Sequence, residues 1–189
     1  MKPSLEKKDV LIAFYGTQLP LLGIGIWLLW RKGSLHAGYF AFGDIQMWVW
    51  GLAAGVAVIL ADLWLMRVVP ISHWDDGGIN RLLFQNTPGW QILLIAVIAA
   101  FSEEILFRGV LLDWIGLWGS SLLFVLMHTR YLRKWLLVTV VAVVGLLFGW
   151  MTERTGHLAP AIMAHFLVDA VMGFLYRNLS DKEGSADSP

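Results

Sequence analysis

The sequence predicts an all-α fold: a polytopic membrane helix bundle with about six transmembrane helices. Three observations carry this. Of 189 residues, 58% are hydrophobic and 15% charged, against about 45–50% and about 25% in soluble domains. The excess is blocked into segments of roughly 20 residues, the length that crosses a bilayer as helix. Two adjacent glutamates, Glu103 and Glu104, lie inside the most apolar stretch. A carboxylate there costs roughly 2.5–3.5 kcal/mol on the insertion scale, so it persists by facing protein, pairing or doing chemistry.

The first helix is expected at about residues 10–30, with Pro20 as a kink. Lys2, Lys7 and Lys8 make a basic start, as in a signal peptide. The apolar run that follows is about twice the usual 7–15 residues and has no small-x-small cleavage site after it, so a retained helix is expected. The second helix is expected at about 45–66. It carries Gly51-x-x-x-Gly55, a close-packing pattern, and Trp48, Trp50 and Trp64, which suit the membrane interfaces. Residues 67–89 read as a polar connection. The third helix starts near Trp90, contains the glutamates and continues to about Leu117. The fourth is expected to start at Gly119-Ser120-Ser121 as an N-cap and to run past His128. Arg130, Arg133 and Lys134 form a basic connection. The fifth helix, about 136–151, carries Gly145-x-x-x-Gly149. Thr155-Gly156-His157 is a turn, and Pro160 suits the first turn of a sixth helix at about 158–176. The polar residues 178–189 are expected to be a disordered tail.

In this layout ten Lys and Arg fall on one side and three on the other, with Arg108 inside a helix. The positive-inside rule then puts both termini in the cytoplasm. A bacterial inner membrane is the expected location. Net charge is +0, which gives no electrostatic case for a nucleic-acid partner. There is no cysteine, so disulfides, cysteine nucleophiles and thiolate metal sites are excluded.

Three polar pairs at four-residue spacing interrupt the apolar helices: Glu104 with Arg108, Phe124 with His128, and His165 with Asp169. If helices three and four form a hairpin near residue 118, Glu103 lies roughly 21 Å from that turn and His128 roughly 14 Å. His165 lies roughly 12 Å past the next turn, and helix tilt closes such differences in depth. A buried glutamate can take a proton from water, a histidine can orient that water or stabilise an oxyanion, and Arg108 can neutralise one glutamate. Zinc also accepts His and Glu, although no His-Glu-x-x-His is present. Asp62 is expected to reach the interface from a helix end, and Asp113 to serve either the Arg108 network or the interface.

Glu103-Glu104-x-x-x-Arg108-Gly109, then Phe124-x-x-x-His128, then His165-x-x-x-Asp169 together resemble the CPBP family. This is the family of type II CAAX prenyl endopeptidases and of bacteriocin-immunity (Abi) proteins. The match covers about residues 88–176, and the helix with Gly145 and Gly149 resembles the family too. The resemblance implies an 88–177 catalytic core, preceded by a two-helix membrane segment and loop (1–87) and followed by the 178–189 tail. It implies an endopeptidase with the lipid bilayer and a membrane-associated protein or peptide substrate as partners, and no cofactor. Glu103 would be the general base and Glu104 the partner of Arg108. His128 would help hold the water, and His165 with the residue four beyond it would form the oxyanion site. The family often has Asn at that last position. An ionised Asp169 cannot donate a hydrogen bond, so it is protonated, or orients His165, or impairs activity. The alternatives are a non-catalytic immunity or scaffold protein that binds a peptide, and a zinc-dependent version of the protease.

Overall fold

The computed structural model describes residues 5–73 and 76–186, which are helices joined by short turns, with no strand among them. The helices are α1 (Lys7–Arg31), α2 (Ala37–Phe40), α3 (Ile45–Val68), α4 (Ile79–Phe84), α5 (Gly89–Leu106), α6 (Leu112–Met127), α7 (Trp135–Thr155) and α8 (Ala159–Ala186). One wide turn of π-helix, Phe107–Leu111, joins α5 to α6. Five helical stretches are long and apolar enough to cross a membrane: α1, α3, Gly89–Met127, α7 and Ala159–Asn178. Large apolar side chains such as Ile12, Leu60, Trp118 and Val143 stay exposed on them, which suits a surface facing lipid.

Five stretches stand against about six expected helices, and the difference lies in Gly89–Met127. Gly116 adopts φ 70°, ψ 177°, a region open essentially to glycine, and the chain reverses there. Ser120 Oγ donates to the Phe107 carbonyl at 2.7 Å across 13 residues. A straight helix would separate those residues by about 20 Å. The rings of Phe107 and Phe124 also meet edge-on, 5.1 Å apart. The expected hairpin therefore exists, but it turns at Gly116 rather than near 118. Its return arm, residues 117–127, is about 16 Å long, short of the roughly 30 Å hydrocarbon core. Ser120 serves the Phe107 carbonyl and does not cap the arm. The arm also stops at Met127 instead of passing His128, whose backbone leaves the helix at φ −83°, ψ 51°.

Contacts sort the connections onto two ends. At one end Lys32 Nζ donates to the Gly109 carbonyl at 2.8 Å and pairs with Asp113, while the Leu158 N–H donates to the Tyr39 carbonyl. At the other end Lys7 Nζ donates to Thr87 Oγ1 at 2.6 Å and Lys134 Nζ to the Ser72 carbonyl at 2.9 Å. Gly89 lies against Phe174 at this second end, so α1 begins and the apolar part of α8 finishes on the same side. The expected polar connection 67–89 contains α4, which buries Leu83 and Phe84 against Val10, Ile92 and Ile95.

α3 lies tightly along α8. A Cβ on Gly51 would stand 2.6 Å from Met163 Cβ and 2.9 Å from the Pro160 carbonyl, so only glycine permits this approach. α1 remains a continuous helix through Pro20. α8 continues to Ala186 where a disordered tail was expected from 178, because extending a helix already formed costs little. Residues 187–189 and Lys2 lie outside the described residues.

Candidate active site

Neighbouring residues on a helix point about 100° apart, so Glu103 and Glu104 leave α5 in different directions. Glu104 is fully buried and turns toward Arg108, itself 1% exposed. Arg108 Nη1 donates to Glu104 Oε1 at 3.2 Å, and Nε lies 3.2 Å from Oε2. The guanidinium also donates through Nη2 to the Gly145 carbonyl at 3.2 Å and sits 4.2 Å above the Phe124 ring. The π-turn places Arg108 there. π-turns widen the backbone and recur at functional sites. Here the Phe107 carbonyl accepts from the Leu112 N–H across the wide turn and also from Ser120 Oγ, and the Gly109 carbonyl is met by Lys32 and Tyr39.

Glu103 turns toward the ends of α6 and α8. Its Oε2 is buried and makes no hydrogen bond. Two imidazole nitrogens face that oxygen: His128 Nε2 at 3.9 Å and His165 Nε2 at 3.8 Å. Both distances are too long for a direct hydrogen bond. Glu103 Oε1 accepts from Gln18 Nε2 of α1 at 2.7 Å.

The hydrogen bonds assign the ring protons. His128 Nδ1 lies 2.8 Å from the Phe124 carbonyl. A carbonyl only accepts, so Nδ1 carries the proton and neutral His128 presents a lone pair at Nε2. His165 Nδ1 lies 2.7 Å from Glu104 Oε1, and its Nε2 lies 3.5 Å from Asp169 Oδ2. His165 thus has a carboxylate at each nitrogen, while Asp169 stands at the more open edge.

All six residues singled out in the sequence, Glu103, Glu104, Arg108, His128, His165 and Asp169, meet in this one place. Phe124 is the platform for Arg108 and packs on the His128 ring at 4.7 Å. Asp113 pairs with Lys32 at the bundle end and does not join the Arg108 network. Among the described residues, no group of three or more His, Asp or Glu is placed to hold a metal ion, and no step is routed through one.

The site opens into a cavity of about 580 Å³ lined from α1 and from each of α3 to α8. Its walls are mostly apolar (Leu21, Val58, Leu65, Val140 and Met172 among them), with Glu103, His128, His165 and Asp169 converging on it. Asp62, expected to reach the interface from a helix end, also lines this cavity. Gln18 and Ser102 escaped the sequence reading. The sequence signal for them is one amide in the middle of an apolar helix and one serine beside the glutamates.

A family model, Type II CAAX prenyl endopeptidase Rce1-like, matches residues 85–171. That range holds the six residues above and excludes Gln18 and Asp62. The uncharacterized protein YpbD of Bacillus subtilis (strain 168) is 43% identical over 147 residues, covering 71% of this chain and 78% of YpbD. An uncharacterized 24.3 kDa protein of Escherichia coli is 30% identical over 95 residues, covering 45% of this chain and 43% of that protein. No solved structure matches.

Proposed function

This chain belongs to the CPBP family, with the Rce1-like type II CAAX prenyl endopeptidases, and on that premise we propose an intramembrane endopeptidase whose attacking water is activated by Glu103. The observation that carries this reading is the buried Glu103 Oε2, without a hydrogen bond and faced by two histidine Nε2 atoms at 3.8 and 3.9 Å. Those distances are beyond direct bonding, and a water that enters beside the oxygen would link the carboxylate to an imidazole. Glu103 takes a proton as the water oxygen bonds to the scissile carbonyl carbon, then gives it to the leaving amine as the C–N bond breaks. The remaining proton of the attacking water also passes to the amine, so the products are a carboxylate and an ammonium group.

Arg108 neutralises Glu104, so a single carboxylate is left to act as base. His128, with its Nε2 lone pair, helps orient the water. His165 is the donor to the developing oxyanion, and Asp169 holds it rather than donating itself, since an ionised carboxylate only accepts. The apolar cavity suits an extended segment of a membrane-associated protein or peptide, and CAAX-type processing follows from the family's description. Both termini are assigned to the cytoplasm on the charge bias, with the bacterial inner membrane as the location.

The test is Glu103→Gln at matched expression, with the membrane proteome scanned for new N- and C-termini. Loss of a general base typically lowers rate about 10²–10⁴-fold, so the cut sites should vanish. Unchanged cutting by the purified variant would sink the mechanism. Unchanged termini together with a surviving cell phenotype would point to a peptide-binding immunity or scaffold protein.

A further inference from the structure

We propose that Gln18 of α1, set by Ser102, is a positioning residue for Glu103: it holds one carboxylate oxygen so that the other faces the two histidines. The inference rests on the reading of Glu103 as the base. Gln18 lies outside the family match, on a helix with no motif, half-buried at the cavity wall. Packing alone does not explain an amide here, because leucine or methionine would fill the same space without a polar group in hydrocarbon.

The hydrogen bonds define what the amide does. Gln18 Nε2 donates to Glu103 Oε1 at 2.7 Å. Ser102 Oγ, one residue before Glu103 on α5, donates to Gln18 Oε1. An ionised carboxylate only accepts, so the NH₂ end must face it, and the serine hydroxyl fixes the amide in that sense. With Oε1 tethered, Oε2 remains directed at His128 and His165. Without the tether, the carboxylate is free to rotate and pair directly with an imidazole, displacing the reacting water.

The titratable groups facing Glu103 are His128, just past the hairpin's return arm, and His165 and Asp169 on α8. Asp62 on α3, Arg130 and Tyr131 beyond the return arm and Tyr176 on α8 line the same cavity, the Glu104–Arg108 pair sits behind, and α7 contributes only apolar walls. None of these is altered by substituting Gln18. Removing a donor to the ionised form favours the protonated form. A hydrogen bond to a charged group is strong enough to move that balance by roughly one pH unit or more.

The experiment uses the full chain in lipid nanodiscs. Infrared difference spectra across pH follow the carboxylic C=O band that is missing from Glu103→Gln. In Gln18→Met, close in size and apolar, the midpoint of that band should rise by roughly one pH unit or more. Ser102→Ala should raise it by less, because the amide is then held without a fixed sense. Cleavage of a quenched peptide ending in a farnesylated cysteine and three further residues is measured on the same samples, and the acid limb of its rate should move with the band. Midpoints equal to wild type in folded Gln18→Met and Ser102→Ala overturn the proposal; Ser102→Ala, which deletes one hydroxyl, decides alone if Gln18→Met does not fold. A shifted band in a protein that cuts neither the peptide nor any cellular protein keeps the Gln18–Glu103 link and removes the protease reading.

Discussion

Arg108→Met isolates the cost of a charge buried without its partner. Arg108 is 1% exposed and Glu104 fully buried, with guanidinium nitrogens 3.2 Å from both carboxylate oxygens. Methionine keeps most of the volume but leaves Glu104 uncompensated, which costs about 3–5 kcal/mol for a buried pair. The variant also gives up the contact over Phe124 at 4.2 Å and the donor to the Gly145 carbonyl; a desolvated cation over an aromatic face is worth about 2 kcal/mol. Adding Glu104→Gln to Arg108→Met should recover much of the loss. The new amide needs no cation, and its carbonyl can still accept from His165 Nδ1, now at 2.7 Å from Glu104 Oε1. Equilibrium unfolding in mixed micelles should therefore show a double-mutant coupling of about 2 kcal/mol or more, within the range for contacting residues. Arg108→Met as stable as wild type, or a double variant no better than the single, would refute the view that Arg108 exists to neutralise Glu104.

Three more outcomes are expected. Gly116→Ala forces a side chain into φ 70°, ψ 177°, a strain of about 1–3 kcal/mol, and should lower hairpin stability, whereas Gly16→Ala, with nothing within 4 Å of the new Cβ, should not. Asp169→Asn should retain cleavage, since an amide oxygen can still accept from His165 Nε2, while Asp169→Ala should lose at least about tenfold, roughly the worth of one hydrogen bond; equal rates for the two would remove Asp169 from the mechanism. Burial, then the charge of Asp113, push the Tyr39 phenol in the α1–α3 connection up to about 12. The unfolded chain ionises it near about 10, so folded stability should fall as pH rises between these values, and Tyr39→Phe should flatten that fall in a pH-dependent melt.

Glu103, Glu104, Arg108, His128, His165 and Asp169 were legible because carboxylate, guanidinium and imidazole groups in apolar helices demand an explanation residue by residue. Four-residue spacing put each pair on one helical face before any tertiary contact was known. Asp62 shows the converse limit: proximity to a helix end says nothing of which way the side chain turns, and this one lines the cavity. Gln18 left only a weak trace, since an uncharged amide costs less in hydrocarbon than an ion and its partners lie 84 and 85 residues away.

The sequence by itself determined a membrane bundle of apolar helices, the hairpin that carries the glutamates, and the residues able to move a proton. Periodicity, segment length and the cost of burying charge are local properties of a chain, readable along it. Tertiary structure alone decided that the reversal falls at Gly116, that Glu104 belongs to Arg108 while Glu103 faces two histidines, and that α1 reaches in with Gln18. Those outcomes depend on helix rotation and on which faces pack. A difference of about 100° between adjacent residues separates a neutralised carboxylate from the one that is free to act.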